Sequence, residues 1–556
     1  MSSERSAVDD ERRAFARLAG AVIDDLLAAD PVQATALGDH RFDDQLPDWS
    51  PSALDDLATR LDDHMTRLDA IDDVALPRTD QVDLEILRAK VAARHFDLTD
   101  VRRHRWDPMA WDPGTAIRLL AVRDFAPAAE RVAGIVSRLR AVPDYLEQSR
   151  RSLVEISAIH AETAITRASG FAAVIDEAAR VEQMAPHRDF SQAAQDAAEA
   201  VEVHARWLSE QVPTAQWDPR LGVRLYSAAV WHHLDEELTP VQILESAEAH
   251  LDDVNALLRE TAGEFLRESV RSPDIVRRAL ARVAEESPVD DATVLDDVRT
   301  ALDRLTDFVR EHDLVTIPGG ETAIIEMPEI HRGVAVAYCD APGPLERANV
   351  ATYVAVAPAP ADWGADRVAS FYREYNGVLL HDLAAHEAMP GHVLQLAHAR
   401  AVREASMVRS FGMSGAFVEG WAVYAEHLMW ERGYTPDDRA DAGLRLRLQQ
   451  LKMQARMTLN AILDARVHGG DIDEPGAIEL LVRRGFQEES EAVGKWRRAL
   501  LTAAQLPTYF VGWLGVRGIV DDLRVLHPDW SDRQIHDLVL AHGSPGPRHL
   551  RALLGL

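Results

Sequence analysis

The chain is almost without cysteine, since Cys339 is the only one among 556 residues. One thiol cannot form an internal disulfide, and without a cysteine pair a zinc site built on thiolates is excluded. Any bound transition metal must therefore use histidine and carboxylate ligands.

Basic residues are scarce relative to acidic ones: 60 Lys and Arg stand against 91 Asp and Glu, which gives a net charge of −31. Nucleic acids and anionic membranes are bound through basic surfaces that neutralise phosphate. We therefore expect neither as a partner. A halophile-like surface and the composition of a GC-rich coding sequence both account for the acidity, and we favour the second because the basic residues are nearly all arginine.

Long apolar runs are missing as well. The first 13 residues contain no apolar segment of the kind found in signal peptides, and no run of 18 or more apolar residues follows. We therefore expect a soluble, cytoplasmic protein. The apolar fraction of 47% and the charged fraction of 27% are ordinary for a globular chain and predict a compact fold.

The apolar pattern predicts a mainly α protein with a small β-sheet. From Asp9 to about Val315 apolar residues recur at spacings of three and four, as in Phe15, Leu18, Val22 and Leu26. Between about Thr316 and Pro358 short β-branched runs between Gly and Pro residues predict strands, and these runs lie at 323–328, 334–338 and 351–357. Helical periodicity then continues from about Ala365 to the end. We predict a helical region at 1–315 and a second region, 316–556, with short strands followed by helices.

One motif carries the residues of a metal site, His386-Glu-Ala-Met-Pro-Gly-His392, followed 27 residues later by Glu419. Two imidazoles and one carboxylate can hold Zn²⁺ and leave a fourth position for water, and Glu387 can act as the base for that water. The sequence therefore predicts a catalytic zinc site.

The spacing of the two histidines is irregular. In the common zinc helix they are four residues apart, whereas six residues place His386 and His392 about 120° apart on a regular helix. Pro390 removes a backbone N–H, and Gly391 tolerates unusual dihedral angles. We therefore predict a kink or bulge at Met389–Gly391 that brings the two imidazoles together.

A second helix is predicted to carry the third ligand. It should begin after Ser414-Gly415 and end at Arg432-Gly433. Glu426 follows Glu419 by seven residues and returns to within about 20° of the same face. One of the two carboxylates can bind the metal and the other can support it.

Further candidates lie around this motif. Asp382, four residues before His386, is predicted to accept the imidazole N–H, with a solvated carboxylate as the alternative. The strand around Tyr353 is predicted to pair with an extended peptide as an edge strand. Both predictions concern substrate or ligand positioning rather than proton transfer.

Three downstream residues are candidate donors for an oxyanion, namely Tyr509, Arg456 and His468. Their alternatives are packing for Tyr509, a salt bridge for Arg456 and a charge at a helix C-terminus for His468. Arg456 can instead bind a carboxylate of the substrate. Asp464 can orient His468 or Arg456.

These residues carry a family resemblance. The segments 386–395 and 419–426 resemble the bacterial family catalogued as domain of unknown function 885, which is grouped with the gluzincin-like metallopeptidases. Segment 30–38, Arg456 and segment 464–468 extend the resemblance over most of the chain. A more distant likeness to the thimet-type oligopeptidases implies that Glu419 is the ligand and that Glu426 supports it.

Together, motif and resemblance predict a large helical, metallopeptidase-like body with a cleft and a small sheet next to the metal. The expected activity is zinc-dependent hydrolysis of small peptides, of the carboxypeptidase or dipeptidase kind. A metal-dependent amidase or esterase acting on non-peptide substrates is one alternative. A helical binding protein with a structural metal is another alternative. The presence of Glu387 argues against it, because structural zinc sites fill all four positions with protein ligands and need no general base.

Overall fold

The computed structural model describes residues 2–327, 337–403 and 405–556. It is mainly helical with one small β-sheet, which confirms the predicted fold class. The chain forms two compact units, of which the first comprises Met1–Pro219, Pro342–Val350 and Arg403–Gly412, and the second comprises Arg220–Ala341, Ala351–Val402 and Met413–Leu556. The division at residue 315 rests on a change of sequence pattern and stays a prediction; by packing, residues 220–315 belong to the second unit.

The first unit is helical. Its α-helices in the described residues are α1 Ser2–Ala29, α2 Pro31–Leu37, α3 Pro51–Asp69, α4 Arg78–Phe96, α5 Pro113–Val122, α6 Ala128–Ser152, α7 Ala158–Ser169, α8 Phe171–Met184, α9 Phe190–Gln211 and, later in the chain, α17 Met407–Phe411. Several of these helices begin at an Asp or Ser cap followed by proline, a sequence typical of a helix N-terminus. Asp30 and Ser50, for example, accept the backbone N–H groups of Gln33 and Ala53.

The second unit holds the sheet and the remaining helices. Before the metal motif these are α10 Gly222–Leu234, α11 Pro240–Leu266, α12 Ile275–Glu286, α13 Val294–Glu311, β1 Thr322–Glu326, β2 Ala337–Asp340, β3 Thr352–Val356 and α14 Ala365–Glu374. From the motif onward they are α15 Gly377–Glu387, α16 His392–Ala401, α18 Gly415–Glu431, α19 Ala442–Gly469, α20 Glu474–Arg484, α21 Glu489–Leu501, α22 Thr508–Leu526, α23 Asp532–Leu540 and α24 Pro547–Leu554.

Apolar periodicity explains why the helices bury the faces that they do. Phe15, Leu18, Val22 and Leu26, spaced by three and four residues, are all buried on one face of α1. Over the described ranges, no helix has both the length and the apolar character needed to cross a bilayer.

The sheet has the strand order β1-β3-β2, with β1 parallel and β2 antiparallel to β3. Tyr353 in β3 is paired with Ala323 on one side and with Asp340 on the other. The prediction that the Tyr353 strand acts as a peptide-binding edge is therefore wrong, because both sides of this strand are already occupied. The predicted strand at 334–338 falls partly outside the described residues.

Candidate metal centre

The irregular histidine spacing is resolved by a complete break in the helix. Helix α15 ends at Glu387 and α16 begins at His392. A Cβ atom at Gly391 would collide with the carbonyl oxygens of His386 and Ala385, so the chain can turn this closely only at glycine. The carbonyl of Pro390 accepts the indole N–H of Trp421 in α18 at 2.8 Å. The break is thus held against the helix that carries the third candidate ligand.

His386, His392 and Glu419 come together around one point. Their ligand atoms lie within 4.8 Å of one another. Oε2 of Glu419 is 3.5 Å from Nε2 of His386 and 3.6 Å from Nε2 of His392. These distances are longer than N–H···O hydrogen bonds, which measure about 2.7–3.2 Å. They match donor atoms that share a tetrahedral ion at about 2.0–2.2 Å, whose mutual separation is about 3.3–3.6 Å.

Two buried atoms of this cluster have no hydrogen-bond partner within the described part of the chain, Oε2 of Glu419 and Nδ1 of His392. Burial on its own would raise the pKa of Glu419, but the two imidazoles outweigh it and hold that pKa well below its ordinary value. The buried oxygen of Glu419 thus faces two imidazoles beyond hydrogen-bond distance, and a cation between the three groups would satisfy it. Two nitrogen donors and one carboxylate are also the donor set of catalytic zinc sites, so these residues fit Zn²⁺.

Glu426 holds the first imidazole in place. Its Oε1 is 2.6 Å from Nδ1 of His386, so that Nδ1–H donates to the carboxylate and Nε2 is left to face the cluster. Asp382 does not have the predicted role: it is buried, and no hydrogen bond to it is present in the described residues. Burial and the charge of Glu426 raise the pKa of Asp382.

Glu387, the second residue of the motif, contacts the small sheet. Its Oε2 accepts the backbone N–H of Cys339 in β2 at 2.9 Å. Burial raises the pKa of Glu387, and the neighbouring imidazoles oppose this shift only in part. A carboxylate with a raised pKa, fixed beside metal ligands, is suited to accepting and returning a proton.

Tyr509 lies near the cluster, on α22, which approaches α18 closely at two glycines. A Cβ atom at Gly512 would collide with the backbone of Ala416, and one at Gly420 would collide with the backbone of Gly512. Gly420 follows Glu419, and Gly512 lies one turn after Tyr509, so Glu419 and Tyr509 occupy facing turns. Accordingly, burial and the charge of Glu419 raise the pKa of Tyr509.

Arg456 is not available in the way that was predicted. Its guanidinium pairs with Glu491, lies 3.7 Å from Glu374 and donates to the hydroxyl of Tyr375 at 3.3 Å. Glu374 also accepts a hydrogen bond from the buried Lys452 at 2.9 Å. The salt-bridge alternative therefore describes Arg456, and its assignment to a substrate carboxylate is corrected.

His468 and Asp464 belong to another buried cluster. Nδ1 of His468 accepts the N–H of Leu221 at 3.2 Å, and Nε2 lies 2.9 Å from the carbonyl of Thr502. Asp464 lies 4.0 Å from His468 and accepts the hydroxyl of Tyr226 at 2.8 Å. Both ring nitrogens of His468 are thus engaged by backbone groups, which is a packing role and replaces the predicted oxyanion role. Asp464 pairs with Tyr226 rather than with Arg456.

Sequence reasoning missed several residues of the site. Arg498 in α21 donates to the hydroxyl of Tyr509 at 3.2 Å, and Trp421 anchors the helix break. Gly512, a glycine in the interior of a predicted helix, could have indicated that another helix packs closely at this position. Nothing in the spacing of Arg498 connects it to the motif, which lies more than 100 residues earlier.

Comparisons with known proteins agree with this architecture. The family described as "Bacterial protein of unknown function (DUF885)" matches residues 31–554, and the chain belongs to this family. No functionally curated protein matches the chain. Among solved structures, it is similar to a "putative lipoprotein of unknown function" from Shewanella oneidensis, with 26% identity, a TM-score of 0.80 and coverage of 98% of this chain and 100% of the other. A "putative lipoprotein" from Colwellia psychrerythraea shares the fold at 15% identity, with a TM-score of 0.78 and coverage of 98% and 99%.

Proposed function

We propose that this member of the DUF885 family is a zinc-dependent hydrolase that cleaves small peptides. His386, His392 and Glu419 would hold the ion. The observation that carries the proposal is the buried, unpartnered oxygen of Glu419, which faces two imidazole nitrogens at 3.5 and 3.6 Å. Zinc bound there supplies a Lewis acid and lowers the pKa of water to about 7.

Glu387 is the general base in this proposal. Its carboxylate takes a proton from the attacking water and returns it to the leaving nitrogen. The hydrogen bond from the N–H of Cys339 fixes one oxygen, and the raised pKa makes return of the proton easier. Glu426 contributes by orienting His386.

Tyr509 is the proposed donor to the developing oxyanion. Arg498 donates to the Tyr509 oxygen, so the hydroxyl hydrogen is left for the substrate. The raised pKa of Tyr509 keeps this hydrogen in place at neutral pH.

A peptide substrate is proposed from the resemblance of segments 386–395 and 419–426 to metallopeptidases. The gluzincin-like and thimet-type kinship is part of the same proposal, with Glu419 as ligand and Glu426 seven residues later as its supporting carboxylate.

Turnover measurements on zinc-loaded protein test the proposal. We expect hydrolysis of short peptides, and we expect Glu387→Gln to lower kcat by about 10³-fold, the range of general-base catalysis, with bound zinc unchanged. Turnover of aryl esters or N-acyl amino acids without peptide cleavage would replace the peptidase by an amidase or esterase. Full activity of the Glu387→Gln variant would contradict the base assignment.

The cytoplasmic location expected from the sequence stays a proposal, because both solved neighbours carry the word lipoprotein in their names. Cell fractionation with immunodetection checks it. We expect the protein in the soluble cytoplasmic fraction, and recovery with membranes would overturn this expectation.

A further inference from the structure

Arg498 is a half-buried cation whose protein partners are all neutral. Its Nη2 donates to Oε1 of Gln505 at 3.0 Å and to the hydroxyl of Tyr509 at 3.2 Å. Within residues 2–327, 337–403 and 405–556, no carboxylate lies within 4.0 Å of the Arg498 guanidinium. A partly desolvated arginine without an acidic partner can be satisfied by an anion from outside.

The nearby acids are committed to other groups. Glu374 and Glu491 pair with Arg456, and Glu374 also accepts Lys452. Asp464 accepts hydrogen bonds from Tyr226 and from a backbone N–H. Among the described residues no carboxylate therefore pairs directly with Arg498, and the charge of Asp464 acts on it only from beyond 4.0 Å.

The buried amine of Lys495 lies in the same positive surroundings, which disfavour its own charge. Lys495 is buried one turn before Arg498 on α21. Burial, and then the charges of Arg456 and Arg498, lower the pKa of the Lys495 amine. Arg498 thus lies in a locally positive environment inside a strongly acidic protein, and such an environment favours an anionic ligand.

This environment adjoins the candidate metal centre. Arg498 contacts Tyr509, and Tyr509 lies on the turn of α22 that faces Glu419 across the glycine contact of α18 and α22. Both hydrogen bonds of Arg498 leave from Nη2, so Nε and Nη1 are available to a ligand as far as the described residues go.

We propose that Arg498 binds a carboxylate of the substrate, so that the substrates are short peptides or N-acyl amino acids whose free carboxylate lies close to the scissile bond. The inference rests on the proposed hydrolase function and names the substrate class for that site. Arg498 thereby takes the role that the sequence suggested for Arg456. A guanidinium is suited to it because its planar donors match a carboxylate.

Binding of two peptides that differ only at the C-terminus tests the proposal. The probes are Ala-Ala-Ala and its C-terminal amide, titrated by calorimetry into the zinc-loaded Glu387→Gln variant, which prevents turnover. We expect the free acid to bind about tenfold more tightly or better, as for a hydrogen bond to a charged group. Adding Arg498→Gln should abolish the preference, and Arg498→Lys should retain part of it.

Arg497→Gln is the matched control, because it removes the same charge from an exposed neighbour on the same helix. This variant should keep the preference for the acid. Equal binding of acid and amide, undetectable binding of both, or a preference that survives Arg498→Gln would each overturn the proposal.

The same experiment separates this inference from the proposed function. If the acid is preferred through Arg498 and the protein with Glu387 intact cleaves no peptide, amide or ester, the carboxylate site stands and the hydrolase is wrong. If peptides are cleaved and acid and amide are equivalent in binding and in kcat/KM, the hydrolase stands and the role of Arg498 is wrong.

Discussion

Two sets of polar side chains inside the second unit are of the same kinds but differ in whether other protein groups pair with them. We call the first set the paired cluster and the second the unpaired cluster. Arg456 is paired with two carboxylates, and both ring nitrogens of His468 are engaged by backbone groups. Glu419 and His392 each keep a buried atom without a partner in the described residues, and Arg498 has only neutral partners. The first cluster is held by ion pairs and backbone contacts, although Nη1 of Arg456 and Oδ1 of Asp464 also lack a hydrogen bond within the described ranges. The second has, over the same ranges, no ion pair for Arg498 and has donors and acceptors left for a ligand.

The difference is energetic as well as geometric. A buried polar atom without a partner costs about 1–3 kcal/mol of stability, and a bound ligand recovers this cost. The unpaired cluster is therefore kept at the expense of stability, as is common for active sites. Residue type and spacing identified Arg456, His468, His392 and Glu419 but not Arg498, and the pairing seen in the fold separates the two clusters.

The largest expected effect comes from exchanging an arginine of each cluster for methionine. Arg456→Met should lower the free energy of unfolding by about 3–5 kcal/mol, because it leaves Glu491 without its cation and Glu374 with Lys452 alone. Arg498→Met should change it by less than about 1 kcal/mol, since no carboxylate is stranded. Urea titration of both variants measures the difference, and equal losses would break the comparison.

A smaller effect is expected from moving the unpaired cluster without removing a polar group. Gly512→Ala should lower the free energy of unfolding by about 1–3 kcal/mol, because its Cβ meets the backbone of Ala416, and it should weaken zinc binding by separating α18 from α22. Gly494→Ala on α21 is the control, since nothing lies within 4 Å of the added atom and alanine favours a helix. An unchanged zinc affinity in Gly512→Ala would remove the link between this contact and the site.

The smallest effect is expected from a paired histidine in the first unit, His40. His40 lies 2.8 Å from both Asp43 and Glu346. Burial on its own would lower the pKa of His40, but the two carboxylates outweigh it and raise that pKa to about 9. The charged form is thus favoured by folding, so its contribution is fully present below about pH 6.5 and is lost as the pH rises through about 9.

The corresponding measurement is the pH dependence of unfolding for His40→Gln. After allowance for solvent screening we expect a loss of about 1 kcal/mol at pH 6 relative to the unsubstituted protein, and almost none at pH 10. A loss that is the same at both pH values would mean that the charge of His40 plays no part.

Local sequence patterns predicted the features that depend on neighbouring residues. The helices, the small sheet, the interruption at Pro390-Gly391 and the limits of the helix carrying Glu419 all follow from periodicity, glycine, proline and caps. In one respect the interruption is stronger than expected, because the chain forms two helices rather than one kinked helix.

Features that depend on distant segments could not be predicted. The central position of the Tyr353 strand requires the pairing of β1 with β3, and nothing in either strand encodes that choice. Asp382 has the right local spacing from His386, yet Glu426 on another helix accepts the imidazole N–H instead. The partners of Arg456 and His468 likewise come from other helices. Pairing inside a fold is a tertiary property, so the distinction between the two clusters requires the structure.

Equilibrium dialysis against zinc tests the central claim most directly. Our account predicts about one zinc ion per chain, its loss in His392→Ala and in Glu419→Gln, and its retention in His468→Ala, where the histidine belongs to the paired cluster. Absence of stoichiometric zinc in the unsubstituted protein, or undiminished zinc in His392→Ala and Glu419→Gln, would contradict the assignment of this cluster as a metal centre.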